Sequence, residues 1–163
     1  MNMDQKLEKL IQEQVNAEWY SAYLYVAMAA HFEHTNLDGF AHWMHKQAAE
    51  EQGHGKKMFE FLSDRGVRIK LQAIAEPTAD FASPLDVFEK VYAHEQKVTG
   101  LINAIADAAD AVNDRPTKVF IQWFVNEQVE EEKNAAKILD LLKHIPAGSG
   151  ALYQLDHRLG KRE

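Results

Sequence analysis

The sequence predicts an all-α protein: a four-helix bundle with a long crossover between its second and third helices and a short fifth helix. Three observations carry that prediction. Apolar residues recur at alternating spacings of three and four in four segments, each about 30 residues long, which is the stripe of an amphipathic helix. The breaks after the first and third segments are short and the break after the second is long, so the first and second helices pair as antiparallel neighbours, as do the third and fourth. Each stripe also carries one acidic residue near its midpoint: Glu18, Glu51, Glu95 and Glu131.

From Asp4 to about His34, Leu7, Ile11, Tyr25, Met28 and Phe32 keep helical phase with Gln14, Glu18 and Ser21, with no Gly or Pro between them. Thr35-Asn36-Leu37-Asp38-Gly39 is a short turn with capping residues. A second helix runs from it to about Asp64 on the stripe Phe40, Trp43, Met44, Gln47, Glu51, His54, Met58 and Phe61, ended by Arg65-Gly66 with Gly66 as C-terminal cap. Val67 to Phe81 contains Pro77 and begins with alternating Val67, Ile69 and Leu71, which reads as an extended connection able to travel the length of a helix.

Ser83-Pro84 opens the third helix, whose face carries Leu85, Phe88, Tyr92, Glu95, Thr99, Ile102, Ala106 and Ala109. It stops at Asn113-Asp114-Arg115-Pro116, where the proline suits the first turn of the next helix. The fourth helix reaches about His144 on Phe120, Phe124, Glu127 or Gln128, Glu131, Ala135, Ile138 and Leu142. Ile145-Pro146-Ala147-Gly148-Ser149-Gly150 breaks the chain, and Ala151 to about Leu159 forms a short fifth helix. There is no internal repeat, and residues 1–163 read as one domain.

Composition narrows the function. The chain has no Cys, which removes disulfides, thiolate metal sites and thiol nucleophiles together and fits a reducing compartment. The first residues hold no apolar signal region, and the longest apolar run, Ala22 to Ala30, is about half of a membrane span. A soluble, cytoplasmic protein without a membrane partner is expected. The formal net charge of −7 argues against a nucleic-acid partner and is compatible with a surface or cavity that collects cations.

The chemistry lies in the four midpoint carboxylates. Residues at helix midpoints meet at one level whichever way each helix runs, so Glu18, Glu51, Glu95 and Glu131 converge in the bundle with His54, one turn from Glu51. A buried carboxylate needs a counter-charge, a proton or a metal. Four negative charges are what two divalent ions neutralise, and oxygen-rich ligation with one imidazole suits iron or manganese, with room for dioxygen. Any one of these residues alone would read as an ordinary solvated Glu. Tyr25, two turns from Glu18, is either plain core or a phenol bonded to a metal-ligating carboxylate. The other histidines, among them His42, His94 and His144, have no partner at ligand spacing and read as surface or core residues.

Glu18, Tyr25, Glu50-Glu51-x-x-His54, His94-Glu95-Gln96 and Trp123 to Glu132 together resemble the ferritin family, and within it the bacterial non-haem ferritins, over essentially the whole chain. The resemblance implies a ferritin-like cage of twenty-four subunits that oxidises Fe(II) with dioxygen or hydrogen peroxide at a di-iron ferroxidase centre and stores a ferric mineral inside. It assigns Glu18, Glu51 and His54 to a first iron site and Glu51, Glu95 and Glu131 to a second, with Glu51 bridging. Glu50, Glu127, Glu130 and Glu131 match a third. It places the fifth helix at a fourfold axis.

Three departures accompany the resemblance. Bacterioferritins carry a second Glu-x-x-His where this chain has Glu127-Gln128-Val129-Glu130, and a haem-ligating Met where it has Gln52, so no haem is expected. The acidic pair that lines the threefold channel of animal ferritins is replaced by Lys118 and Ile121. The alternatives are another carboxylate-bridged di-iron oxidase, which would need a second Glu-x-x-His; a rubrerythrin-like peroxidase, which would need Cys; and a non-catalytic assembling bundle with a structural polar layer.

Overall fold

The structure, a computed structural model, describes residues 3–146 and 149–163; Ala147 and Gly148, in the break expected before the fifth helix, lie outside the described residues. Among the described residues five helices follow in order: α1 (Gln5–His34), α2 (Asp38–Asp64), α3 (Pro84–Ala111), α4 (Arg115–Lys143) and α5 (Ala151–Leu159). None is long and apolar enough to cross a membrane.

Three helix ends close in one way, and short polar or glycine residues make that possible. Asn36, Gly66 and Asn113 adopt left-handed backbone angles, with φ of 59°, 72° and 51°. The following amides reach back to carbonyls one turn inside the helix, Leu37 to Phe32, Val67 to Leu62 and Asp114 to Ala109. No side chain from this turn caps the start of α2, whose N-cap is Leu37. Asp4, Ser83 and Asp114 do cap α1, α3 and α4. Asp114 also takes Arg65 in a two-pronged pair at 2.9 and 2.8 Å, fastening the end of α2 to the beginning of α4.

The contacts between α2 and α4 run antiparallel: Gln47 meets Glu131, His54 meets Trp123 and Phe124, Phe61 stacks on Phe120, and Arg65 meets Asp114. With the α1–α2 and α3–α4 turns short, α2 and α3 must then run parallel, and only a long connection can join them. Residues 67–82 supply it, lying along α1: the Lys70 N–H donates to Gln12, Asn16 donates to the Ala73 carbonyl, and Phe81 packs on His31.

The core forms two apolar clusters. One gathers Met28, Phe32, Phe40, Met44, Phe88 and Leu142 with their neighbours, and the other gathers Leu7, Ile11, Met58, Leu62, Ile102 and Phe124. Between them every long helix contributes buried polar residues: Gln14, Glu18 and Ser21 from α1, Gln47, Glu51 and His54 from α2, Glu95 from α3, Gln128 and Glu131 from α4. The predicted α3 face is rotated slightly, because Val87, Val91, Val98 and Ile105 are buried where Leu85, Tyr92, Thr99 and Ala106 are only partly so. Ile121 belongs to the second cluster rather than to any channel wall. The α5 helix folds back on α2, burying Leu155 and Leu159 in the first cluster.

Candidate metal centre

Helical spacing puts Glu51 and His54 on one face of α2, and the antiparallel α1 brings Glu18 opposite them. His54 Nδ1 lies 3.3 Å from Glu51 Oε2 and 4.0 Å from Glu18 Oε2. The ligand atoms of Glu18, Glu51 and His54 all lie within 4.8 Å of one another. Glu18 Oε1 accepts from Gln14 at 2.7 Å, whereas Glu18 Oε2 is buried with no hydrogen-bond partner among the described residues. An orphaned, buried carboxylate oxygen aimed at an imidazole nitrogen and a second carboxylate is a lone pair waiting for a cation.

Beside this group, α3 and α4 supply Glu95 and Glu131. Glu95 accepts from the Tyr25 hydroxyl and from Gln128 Nε2 at 3.3 Å. Glu131 Oε2 accepts from Gln47 Nε2 at 2.5 Å. The other nitrogen of His54, Nε2, stands 3.9 Å from Glu127 Oε1, and His54, Glu127 and Glu131 make a second group with ligand atoms inside 4.8 Å. The position left open on α4 is settled: Gln128 is the fully buried residue and Glu127 is partly exposed. Glu50 and Glu130 are exposed and belong to neither group, and Glu50 is paired with Arg162 at 2.5 Å.

The electrostatics follow from packing carboxylates together out of water. Burial, and next the charge of Glu51, raise Glu18 well above the usual carboxylate range. Burial and then Glu95 do the same to Glu51. Burial also raises Glu95, against the pull of the Tyr25 and Gln128 hydrogen bonds, and lifts Glu131 to about 7 with help from Glu95. A cation brought among such groups would favour their ionised forms.

The chain is 41% identical to a bacterial non-heme ferritin of Bacteroides fragilis over 160 residues, 98% of this chain and 99% of that one. The family model described as Ferritin-like domain matches residues 8–145. The chain belongs to the ferritin family. A bacterial non-heme ferritin of Staphylococcus saprophyticus is 38% identical over 98% of this chain and 96% of its own. Among solved structures, a crystal structure described as a novel open pore ferritin from the hyperthermophilic archaeon Archaeoglobus fulgidus superposes with a TM-score of 0.98 at 44% identity, covering 99% of this chain and 100% of that one. The ferritin bundle with a short C-terminal helix is therefore the fold, and the family supports iron storage as the broad role.

Sequence reasoning named the carboxylates and missed what orients them. Gln14 and Gln47 were visible as glutamines on core stripes, each four residues before a central Glu, and Gln128 stands three before Glu131; an amide at such a spot is a signal for a nearby carboxylate acceptor. Arg162 gave no signal, because it lies outside every helical stripe. His94, read as an ordinary histidine, is bonded to Ser21 at 2.7 Å beside Tyr25, and burial lowers it to about 4.

Proposed function

We propose that this ferritin oxidises Fe(II) within each subunit and stores the ferric product inside a cage of twenty-four subunits in the cytoplasm. The observation that carries the reading is the buried trio of Glu18, Glu51 and His54, with one carboxylate oxygen lacking a hydrogen-bond partner among the described residues. Glu18, Glu51 and His54 Nδ1 hold one Fe(II); Glu51, Glu95 and Glu131 hold the second, with Glu51 shared. Binding displaces the protons that burial holds on these carboxyls. Each Fe(II) gives one electron, so two Fe(II) with two protons reduce dioxygen to hydrogen peroxide, or reduce peroxide to two waters.

Tyr25 acts on the second position by holding Glu95, and Gln14, Gln47 and Gln128 orient the remaining oxygens. Glu127, beside His54 and Glu131, with Glu50 and Glu130 further out, forms a third station that takes iron from the centre toward the cavity. Gln52 is exposed and offers no thioether to a haem iron.

Anaerobic Fe(II) titration followed by stopped-flow oxidation tests the reading. The wild type should show a fast phase that saturates at about two Fe(II) per subunit. Glu51→Ala and His54→Ala should abolish that phase while size-exclusion chromatography still reports the full cage. Wild-type initial rates in both variants would sink the assignment, and absence of any saturating phase in the wild type would leave a purely structural polar layer.

A further inference from the structure

The segment after α5 returns to the polar layer through one side chain. Arg162 Nη1 donates to Gln47 Oε1 at 2.8 Å and to the Trp43 carbonyl at 3.4 Å, while Nη2 pairs with Glu50 at 2.5 Å. Its guanidinium carbon sits 4.8 Å from the Trp43 ring centroid. The docking of α5 delivers it there: Asp156 accepts the Phe40 N–H at 2.9 Å, His42 bonds the Arg162 carbonyl at 2.7 Å, and Leu155 and Leu159 are buried.

Gln47 is the middle of a chain of three. It is wholly buried, and its Nε2 donates to Glu131 Oε2. A guanidinium can only donate and a carboxylate ionised to take a metal can only accept, whereas an amide does one at each end. With Arg162 on one side and Glu131 on the other, just one orientation of the Gln47 amide avoids placing oxygen against carboxylate and NH2 against guanidinium. Arg162 therefore determines which way Gln47 points, and Gln47 determines how Glu131 presents its free oxygen. The same guanidinium holds Glu50, next in sequence to Glu51.

We propose that Arg162 is a positioning residue for the second metal position, acting through Gln47 on Glu131, so that the seating of α5 is coupled to the centre. The inference rests on the ferroxidase reading above. It assigns Arg162 no contact with metal. The fork of the guanidinium is essential to it, because one branch serves Gln47 and the other Glu50, and a lysine ammonium cannot span both with the same geometry.

The test is anaerobic calorimetric titration of the intact cage with Fe(II), and in parallel with Zn(II) as a redox-inert probe. Arg162→Ala should weaken the second equivalent by 10-fold or more, the range found when groups that orient metal ligands are removed, and leave the first within about 2-fold. Arg162→Lys should restore only part of the loss. Gln47→Leu should reproduce it, and Arg162→Ala added to Gln47→Leu should change nothing further. Equal weakening of both equivalents, full rescue by lysine, or additive effects of the two substitutions would each overturn the relay. So would an unaltered second equivalent in Arg162→Ala. If the wild type itself binds fewer than two equivalents, the ferroxidase reading fails along with the proposal; if only the variants behave as wild type, the relay alone fails.

Discussion

Tyr25 reaches across from α1 to donate its hydroxyl hydrogen to Glu95 on α3, with neither side chain meaningfully exposed. The bond joins the two halves of the bundle at the level of the buried polar layer. Tyr25→Phe preserves the ring that packs on Trp43 and His94 and removes only the donor. Leaving a buried carboxylate short of a hydrogen bond costs about 1–3 kcal/mol. A lower melting temperature and roughly 10-fold slower oxidation are expected. Differential scanning calorimetry and stopped-flow absorbance decide it, and no change in either would reduce Tyr25 to core filling.

The pH dependence of the metal-free protein should be unusual. Glu131 is raised to about 7 by burial and by Glu95, and Glu18, Glu51 and Glu95 are raised chiefly by burial. A carboxyl raised in the native state stabilises fully below its unfolded value, and that stabilisation is lost as pH climbs through the folded value. His94, lowered to about 4 by burial, acts oppositely, and its contribution is complete once the pH passes about 6.5, the ordinary histidine value. Of these shifted groups only the carboxyls titrate above that pH, so their contribution to stability should fall from about pH 6.5 upward, Glu131 alone accounting for roughly 1 kcal/mol by pH 8. Glu131→Gln should flatten the decline. Melting temperatures in chelator across that range provide the check, and a rise toward pH 8 would mean the native carboxyls are already ionised.

Gly39→Ala reverses an ordinary expectation. Replacing a helical glycine by alanine usually stabilises by about 1 kcal/mol. Here the new Cβ would stand 1.7 Å from the backbone oxygen of Asp156, so α5 must leave its seat. Faster hydrogen exchange over residues 151–162 and a lower melting temperature should follow. A more stable variant with unaltered exchange would show that α5 does not dock on α2 as described.

Glu127 and Glu130 should separate in their effects. Glu127 stands 3.9 Å from His54 Nε2 and Glu130 is exposed. Both alanine variants should retain fast oxidation of the first two Fe(II), but Glu127→Ala should change the iron-to-oxygen ratio and the regeneration rate more than Glu130→Ala. Oxygen-electrode and stopped-flow measurements together make the comparison; loss of the first phase would move Glu127 into the primary centre.

The bundle was legible because its signals are local and periodic. Stripes of threes and fours name the helices, and Asn36, Gly66 and Asn113 punctuate them. The central carboxylates were legible for a related reason, since an acidic residue on an apolar stripe contradicts its surroundings and four such contradictions at matching heights mark one shared polar layer. The orienting amides were harder, because Gln47 gives the same pattern whether it meets Glu131 or a backbone carbonyl. Arg162 was out of reach, since its role depends on α5 folding back over α2, a tertiary event with no periodic trace.

The polar layer is divided between two hairpins: Glu18, Glu51 and His54 come from α1 and α2, Glu95 and Glu131 from α3 and α4, and the exposed crossover is the chain link between them. The trio of Glu18, Glu51 and His54 lies within one hairpin, whereas the group of Glu51, Glu95 and Glu131 is split between the two. A cation shared by Glu51 and the opposite pair would be in mechanical effect a rivet between two halves that the Tyr25–Glu95 and Gln47–Glu131 hydrogen bonds already tie together at that level. On the proposed reading cargo and clamp would be the same ion, and a subunit passing iron onward would loosen and retighten its own seam at every turnover.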